Sequence, residues 1–116
     1  MIDILRNDIL PAALSLLPPQ MDTPEARAML IAIALQESAL KHRRQVGGPA
    51  LGLWQWELAQ VGLVLRHEVV GPLARNVLAA LVYDPGDPPH EHIHEAMAHN
   101  DILQCAFSRL LLWPDA

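Results

Sequence analysis

The sequence predicts an all-α domain, because apolar residues recur at helical spacing, prolines divide the chain into short spans, and no segment shows strand-like alternation. Hydrophobic residues make up 52% of the 116 residues, which is enough for one core. Ten prolines limit the length of each helix. We therefore expect a single domain over residues 1–116, with short helices around a buried central helix.

The central helix is located by its start signal and its composition. Residues 23–25 (Thr-Pro-Glu) supply a capping hydroxyl, a proline at the first helical position and an acid near the positive end of the helix. Residues 28–35 are apolar on every side, which is typical of a fully buried helix. We expect this helix to end at residues 36–38.

Loops and shorter helices account for the rest of the chain. Residues 2–17 form an amphipathic pattern closed by two prolines, and glycines mark tight turns at residues 46–52. A small irregular β-like corner is expected near residues 42–53. Further helical patterns occupy residues 53–67, 71–83, 90–99 and 101–113.

Charge and cysteine content argue against several classes of protein. The formal net charge is −5, and the one basic run, residues 41–44, is too short for the phosphate contacts that nucleic-acid binding needs. The single Cys105 cannot form an internal disulfide. No apolar run approaches the roughly 20 residues that cross a bilayer, so no transmembrane segment is expected.

Glu37 is the first candidate for chemistry. At three and four residues before it on the helix lie Ala34 and Ile33, with Leu30 a further turn back on the same face. Apolar neighbours disfavour the charged form of a carboxyl group, which suits a general acid near neutral pH. The alternative is a glutamate that simply turns to solvent where its helix ends.

Two motifs follow one another from this point, ALQESAL at residues 34–40 and GPALGLWQ at residues 48–55. They resemble the soluble lytic transglycosylases and goose-type lysozymes of the lysozyme-like superfamily. In those families a Glu-Ser pair ends a buried helix, and about ten residues later a glycine-rich segment ends in G-[LF]-x-Q. The segment from residue 36 to 57 also looks like small phage-encoded lysozyme-like proteins.

The resemblance implies a lysozyme-like fold and a peptidoglycan-cleaving muramidase of the lytic transglycosylase type, a glycosidase without cofactor or metal. Glu37 would be the catalytic acid and base at the bond between N-acetylmuramic acid and N-acetylglucosamine. Because Trp54 and Trp56 alternate, one is expected to face the sugar cleft and the other the core. The residues implied to support the site or line the cleft are Ser38, Gly52, Trp54 and Gln55.

Two chemical routes remain open. In the transglycosylase route, Glu37 protonates the bridging oxygen and then removes the proton of the muramyl 6-hydroxyl, so a 1,6-anhydro sugar forms without a second carboxylate. Hydrolysis would need a second carboxylate to position water, and the spacing of Glu57, Glu68 and Asp84 selects none of them. The transglycosylase route is preferred.

One departure from the families supports a non-catalytic alternative. Lytic transglycosylases continue into an Ala-Tyr-Asn motif that closes the far side of the cleft, and the only tyrosine, Tyr83, does not fit it. The domain would then lack the C-terminal part of the usual fold. The alternative function is a lysozyme-like peptidoglycan-binding or phage structural protein.

The N-terminal residues 1–17 interleave charges with apolar side chains, unlike the basic-then-apolar order of a signal peptide. We expect cytoplasmic synthesis without a signal peptide. Another factor, or association with a phage, would then deliver the protein to the cell wall.

A histidine-rich segment offers a minor alternative, a zinc metalloprotease. The segment His90-Glu91-His92-Ile93-His94 matches HExxH, in which two imidazoles one helical turn apart hold zinc and the glutamate acts as a base. Two prolines directly before it leave the first histidine in the first turn of a helix or in the loop before it, whereas zinc proteases need a longer preceding helix. A solvated polar helix is therefore preferred, with adventitious surface metal binding as a further alternative.

Overall fold

The computed structural model describes residues 1–41, 43 and 48–113, and it confirms the all-α prediction. A π-helical turn, Leu5–Ile9, joins the first two helices, and a 3-10 turn, Pro19–Met21, follows them. Over the described residues, no helix is long and apolar enough to cross a membrane. The α-helices in chain order are α1 (Ile2–Ile4), α2 (Leu10–Leu14), α3 (Pro24–Ser38), α4 (Leu58–Arg66), α5 (Val70–Ala80), α6 (His90–Ala96) and α7 (Asp101–Leu112).

The start of α3 lies where its sequence signal predicts. The Thr23 hydroxyl accepts a hydrogen bond from the backbone N–H of Ala26 at 3.0 Å, and Pro24 occupies the first helical position. This signal is local: the cap and the donor lie three residues apart, so it does not depend on how the rest of the chain packs. Helix α7 begins in the same way, with the Asn100 side chain accepting from Leu103 N–H at 3.0 Å.

The central helix of the domain is α7, and the prediction that α3 would be buried on every side is wrong. Every residue from Leu103 to Leu110 is buried, and α7 packs against α2, α3, α4 and α5. In α3 only Leu30, Ala34 and Ser38 are buried, whereas Met29 is 53% exposed. An apolar pattern that runs all round a helix selects no face, so it cannot show which side meets the core.

Three polar residues of α7 are buried because each has a hydrogen-bond partner outside the helix. Arg109 donates from Nε to the carbonyl of Met21 at 2.7 Å, and its guanidinium lies 5.2 Å from the ring centroid of Trp113. Burial lowers the pKa of the Arg109 guanidinium from its usual range. This contact attaches the segment between α2 and α3 to the central helix.

The other two polar residues of α7, Gln104 and Ser108, lie one helical turn apart and hold the segment before α4. The Gln104 side chain accepts from Trp54 N–H at 3.1 Å and donates to the Leu51 carbonyl at 2.7 Å. Ser108 accepts from the indole N–H of Trp56 at 2.9 Å. The i, i+4 spacing places Gln104 and Ser108 on one face of α7, so the turn is attached to the helix along that face.

The segment before α4, residues 50–57, is a tight turn closed by an isolated antiparallel bridge. Leu51 and Trp56 exchange two backbone hydrogen bonds of 2.9 Å each. This bridge lies at the edge of the β-like corner predicted near residues 42–53, of which residues 42 and 44–47 are outside the described residues. The helix predicted from residue 53 begins only at Leu58, because the bridge and the left-handed backbone of Gln55 (φ 52°) interrupt it.

Gly52 is required by packing inside this turn. Its backbone is left-handed (φ 79°), and a Cβ there would lie 2.2 Å from Gln104 Oε1 and 2.5 Å from the carbonyl oxygen of Met97. No side chain fits without displacing the Gln104 amide. The glycine therefore allows α7 to approach the turn closely.

Gly52→Ala should destabilise the protein by about 2–4 kcal/mol, because it adds left-handed strain and breaks hydrogen bonds of a buried amide. The matched control is Gly86→Ala, at an exposed glycine whose added Cβ would lie 3.4 Å from its nearest neighbour, Asp84 Oδ1. Urea unfolding measures both. Equal unfolding midpoints for the two variants would contradict the packing of the turn against α7.

Cys105 reports on the burial of α7. Its thiol is fully buried, and burial raises its pKa to about 12. Since the thiolate is the reactive form, an aromatic disulfide reagent should modify Cys105 only when the protein unfolds. If Cys105 were modified in native buffer as fast as in denaturant, the position of α7 at the centre of the domain would be contradicted.

Candidate functional site

A groove of about 590 Å³ opens where the end of α3, the 50–57 turn, the start of α4 and the end of α7 meet. Its apolar lining comes from Ile33, Ala50, Leu111 and Leu112, together with the two tryptophans of the turn. Its polar lining comes from Glu37, Gln55, Glu57, Gln60 and Ser108.

Glu37 lies at the penultimate residue of α3 and lines this groove. Ile33, one turn earlier, lines the same groove, which places the carboxyl group above an apolar surface as the spacing predicts. Glu37 itself is exposed, so the interpretation that its apolar neighbours remove the carboxyl group from solvent is wrong. The reason is the position of α3, which lies at the surface with its outer face in solvent.

Gln55 lines the groove together with Glu37. Its backbone is left-handed, and its side-chain Nε2 donates to the Gly52 carbonyl at 2.8 Å across the turn. The side chain is only partly buried. The turn thus fixes the amide of Gln55 within the groove that Glu37 enters from α3.

Both tryptophans of the turn are buried and both line the groove, so the expected division between cleft and core is wrong. The Trp54 indole N–H donates to the Leu30 carbonyl at 2.9 Å, which connects the turn to α3. The Trp56 indole donates to Ser108, and its ring meets Phe107 edge-on at a centroid distance of 6.1 Å. Each indole is therefore a buried anchor of the turn, Trp54 against α3 and Trp56 against α7.

Ser38, which the resemblance implies to support the site, and Gly52, which it implies to shape the cleft floor, both lie outside the lining of the groove. The buried Ser38 hydroxyl donates to the Ala34 carbonyl at 3.0 Å and accepts from Leu40 N–H at 3.1 Å. These two bonds secure the end of α3, where Ala39 is left-handed. Ser38 therefore positions the helix that carries Glu37, and Gly52 serves the packing of the turn.

Glu57 is a groove residue that the sequence alone did not single out. Of the three carboxylates considered for a second role, Glu57 lines the groove and Glu68 and Asp84 do not. Glu57 caps α4: its backbone N–H donates to Gln60 Oε1 at 2.7 Å, and its carboxylate accepts from the backbone of Gln60. The E-x-x-Q capping box directly after the turn was the signal that could have identified it.

The histidine-rich segment has structural partners. His90 is the first residue of α6, and His94 Nε2 lies 2.7 Å from the carbonyl oxygen of Trp56. Across residues 1–41, 43 and 48–113, no three histidine, cysteine or acidic side chains converge to hold a metal ion. His94 therefore supports the turn that lines the groove, and the geometry gives the zinc alternative no support.

Tyr83 lies elsewhere, with its hydroxyl accepting a hydrogen bond from Asn100 Nδ2 at 3.0 Å. It connects the end of α5 to the start of α7 and does not line the groove. The structure thus places no tyrosine in the role that the third motif has in lytic transglycosylases.

No protein-family model, curated protein or solved structure matches this chain.

Proposed function

We propose that this chain is a peptidoglycan-cleaving muramidase in which Glu37 is the general acid and base. The observation that carries the proposal is that Glu37 and Gln55, the charged and amide residues of the two motifs, line one groove. Its volume of about 590 Å³ lies within the range of ligand sites, roughly 300–1,000 Å³.

The lining suits a glycan strand. Glu37 is exposed at the groove, so a polymeric substrate can reach it without rearrangement of the chain. The amides of Gln55 and Gln60 can donate to and accept from sugar hydroxyl and acetamido groups. Leu111 and Leu112 offer apolar surface to the faces of the sugar rings.

The chemistry needs few protein groups. Glu37 protonates the oxygen between N-acetylmuramic acid and N-acetylglucosamine as the glycosidic bond breaks. The substrate's own acetamido group can stabilise the anomeric centre, as in the substrate-assisted exceptions to the two-carboxylate scheme. The Glu37 carboxylate can then take the proton of the muramyl 6-hydroxyl, so the transglycosylase route is complete with this single residue.

A second candidate function is peptidoglycan binding without turnover. It is favoured by the exposure of Glu37, since enzymes exclude water from the groups that carry out the reaction. The same groove and the same amides would then hold a glycan strand without cleaving it.

Glu37→Gln should lower the rate of wall cleavage about 10²–10⁴-fold, because it keeps the size and polarity of the side chain and removes its titrating proton. Mass spectrometry of peptidoglycan digests measures the released fragments. The matched control is Glu91→Gln, at an exposed residue of α6, which should cleave like the wild type.

Two results would contradict the proposal. A Glu37→Gln variant as active as the wild type would remove Glu37 from the chemistry. A wild-type protein that binds insoluble peptidoglycan but releases no fragments, at several pH values and from more than one cell wall, would favour the binding function.

A further inference from the structure

We infer that Glu57 is a second carboxylate of the same groove and that it directs the reaction toward hydrolysis. The inference rests on the proposed function, because it assigns a role within the reaction that Glu37 begins. It starts from the finding that Glu37 and Glu57 reach one groove from different elements, the end of α3 and the start of α4.

The position of Glu57 is fixed by the residue before it. Trp56 is held through its backbone by Leu51, through its indole by Ser108, and through its carbonyl by His94. These contacts attach Trp56 to the turn, to α7 and to α6 respectively. Three separate contacts therefore hold the backbone immediately before Glu57 in place.

The Glu57 side chain is also oriented by a contact with Gln60. It accepts the backbone N–H of Gln60 in the first turn of α4, and the Gln60 amide reciprocates by accepting Glu57 N–H. A carboxylate has two oxygens and about four acceptor sites, so one capping bond leaves capacity for a water molecule. In the described part of the chain, neither Glu37 nor Glu57 forms a salt bridge that would occupy it.

These features complete a hydrolytic mechanism. Glu37 gives its proton to the bridging oxygen, and the bond from that oxygen to the muramyl C1 breaks. Water forms the new bond to C1 as its proton passes to the Glu57 carboxylate. Glu57 then releases this proton to solvent and Glu37 takes one up, so the products are two glycan ends, one of them a reducing muramic acid.

Without a base at Glu57, the muramyl 6-hydroxyl is the nucleophile that remains. Its attack on C1 returns the proton to Glu37 and gives the 1,6-anhydro product. Glu57 therefore sets the ratio between reducing and anhydro ends, while Glu37 sets the total amount of cleavage.

The test compares wild type, Glu57→Gln and Glu68→Gln on purified peptidoglycan, with reducing and anhydro ends counted by mass spectrometry after borohydride reduction. The glutamine keeps an oxygen that can cap α4 and cannot take a proton from water. We expect the wild type to release reducing ends, and Glu57→Gln to lower their rate about 10²-fold or more and release mainly anhydro ends. Glu68→Gln, at an exposed carboxylate away from the groove, should match the wild type.

Each outcome decides a different point. A wild type that releases only anhydro ends, or a folded Glu57→Gln variant with the wild-type ratio, would overturn the role of Glu57 and leave Glu37 as the acid. A wild type that releases neither kind of end would overturn the proposed function and this inference together. Circular dichroism and thermal unfolding establish that the Glu57 variant is folded.

Discussion

The groove depends on one buried side chain, the amide of Gln104. It donates to the Leu51 carbonyl and accepts from Trp54 N–H, and thereby satisfies two backbone groups of a turn that has little regular structure of its own. A buried backbone group left without a partner costs about 1–3 kcal/mol, so the amide and the turn stabilise each other. Gly52 makes this approach possible, and the groove residues Gln55 and Glu57 follow within the same short segment.

Local features of the fold could be predicted from the sequence, and the choice of central helix could not. The capping hydroxyl of Thr23 acts on a donor three residues away, so its signal is complete within one turn. The burial of Gln104 depends on partners about fifty residues earlier in the chain. Hydropathy alone predicts that Gln104, Ser108 and Arg109 lie at the surface. Their hydrogen bonds to other parts of the chain allow them to be buried, so α7 is the core helix and α3 lies at the surface.

The candidate site was predictable to a similar degree. Glu37 and Gln55 line one groove because the Trp54 indole, next to Gln55, bonds to the Leu30 carbonyl and holds the turn against α3. The resemblance implied that Ser38 supports the site. In the structure its hydroxyl bonds to the backbone at the end of α3, the helix that carries Glu37. The sequence spacing did not distinguish Glu57, since the entry of that carboxylate into the groove depends on the turn that α7 holds.

The proposed function requires that the turn held by α7 forms a glycan-binding groove beside Glu37. The most direct test is a nuclear magnetic resonance titration, in which the chemical shifts of the protein are followed as soluble GlcNAc–MurNAc fragments are added. The indole resonances of Trp54 and Trp56 should shift together with the amide signals of Gln55, while Trp113, which does not line the groove, should stay unchanged. Shifts confined to the histidine-rich α6, or equal shifts at all three tryptophans, would contradict the claim.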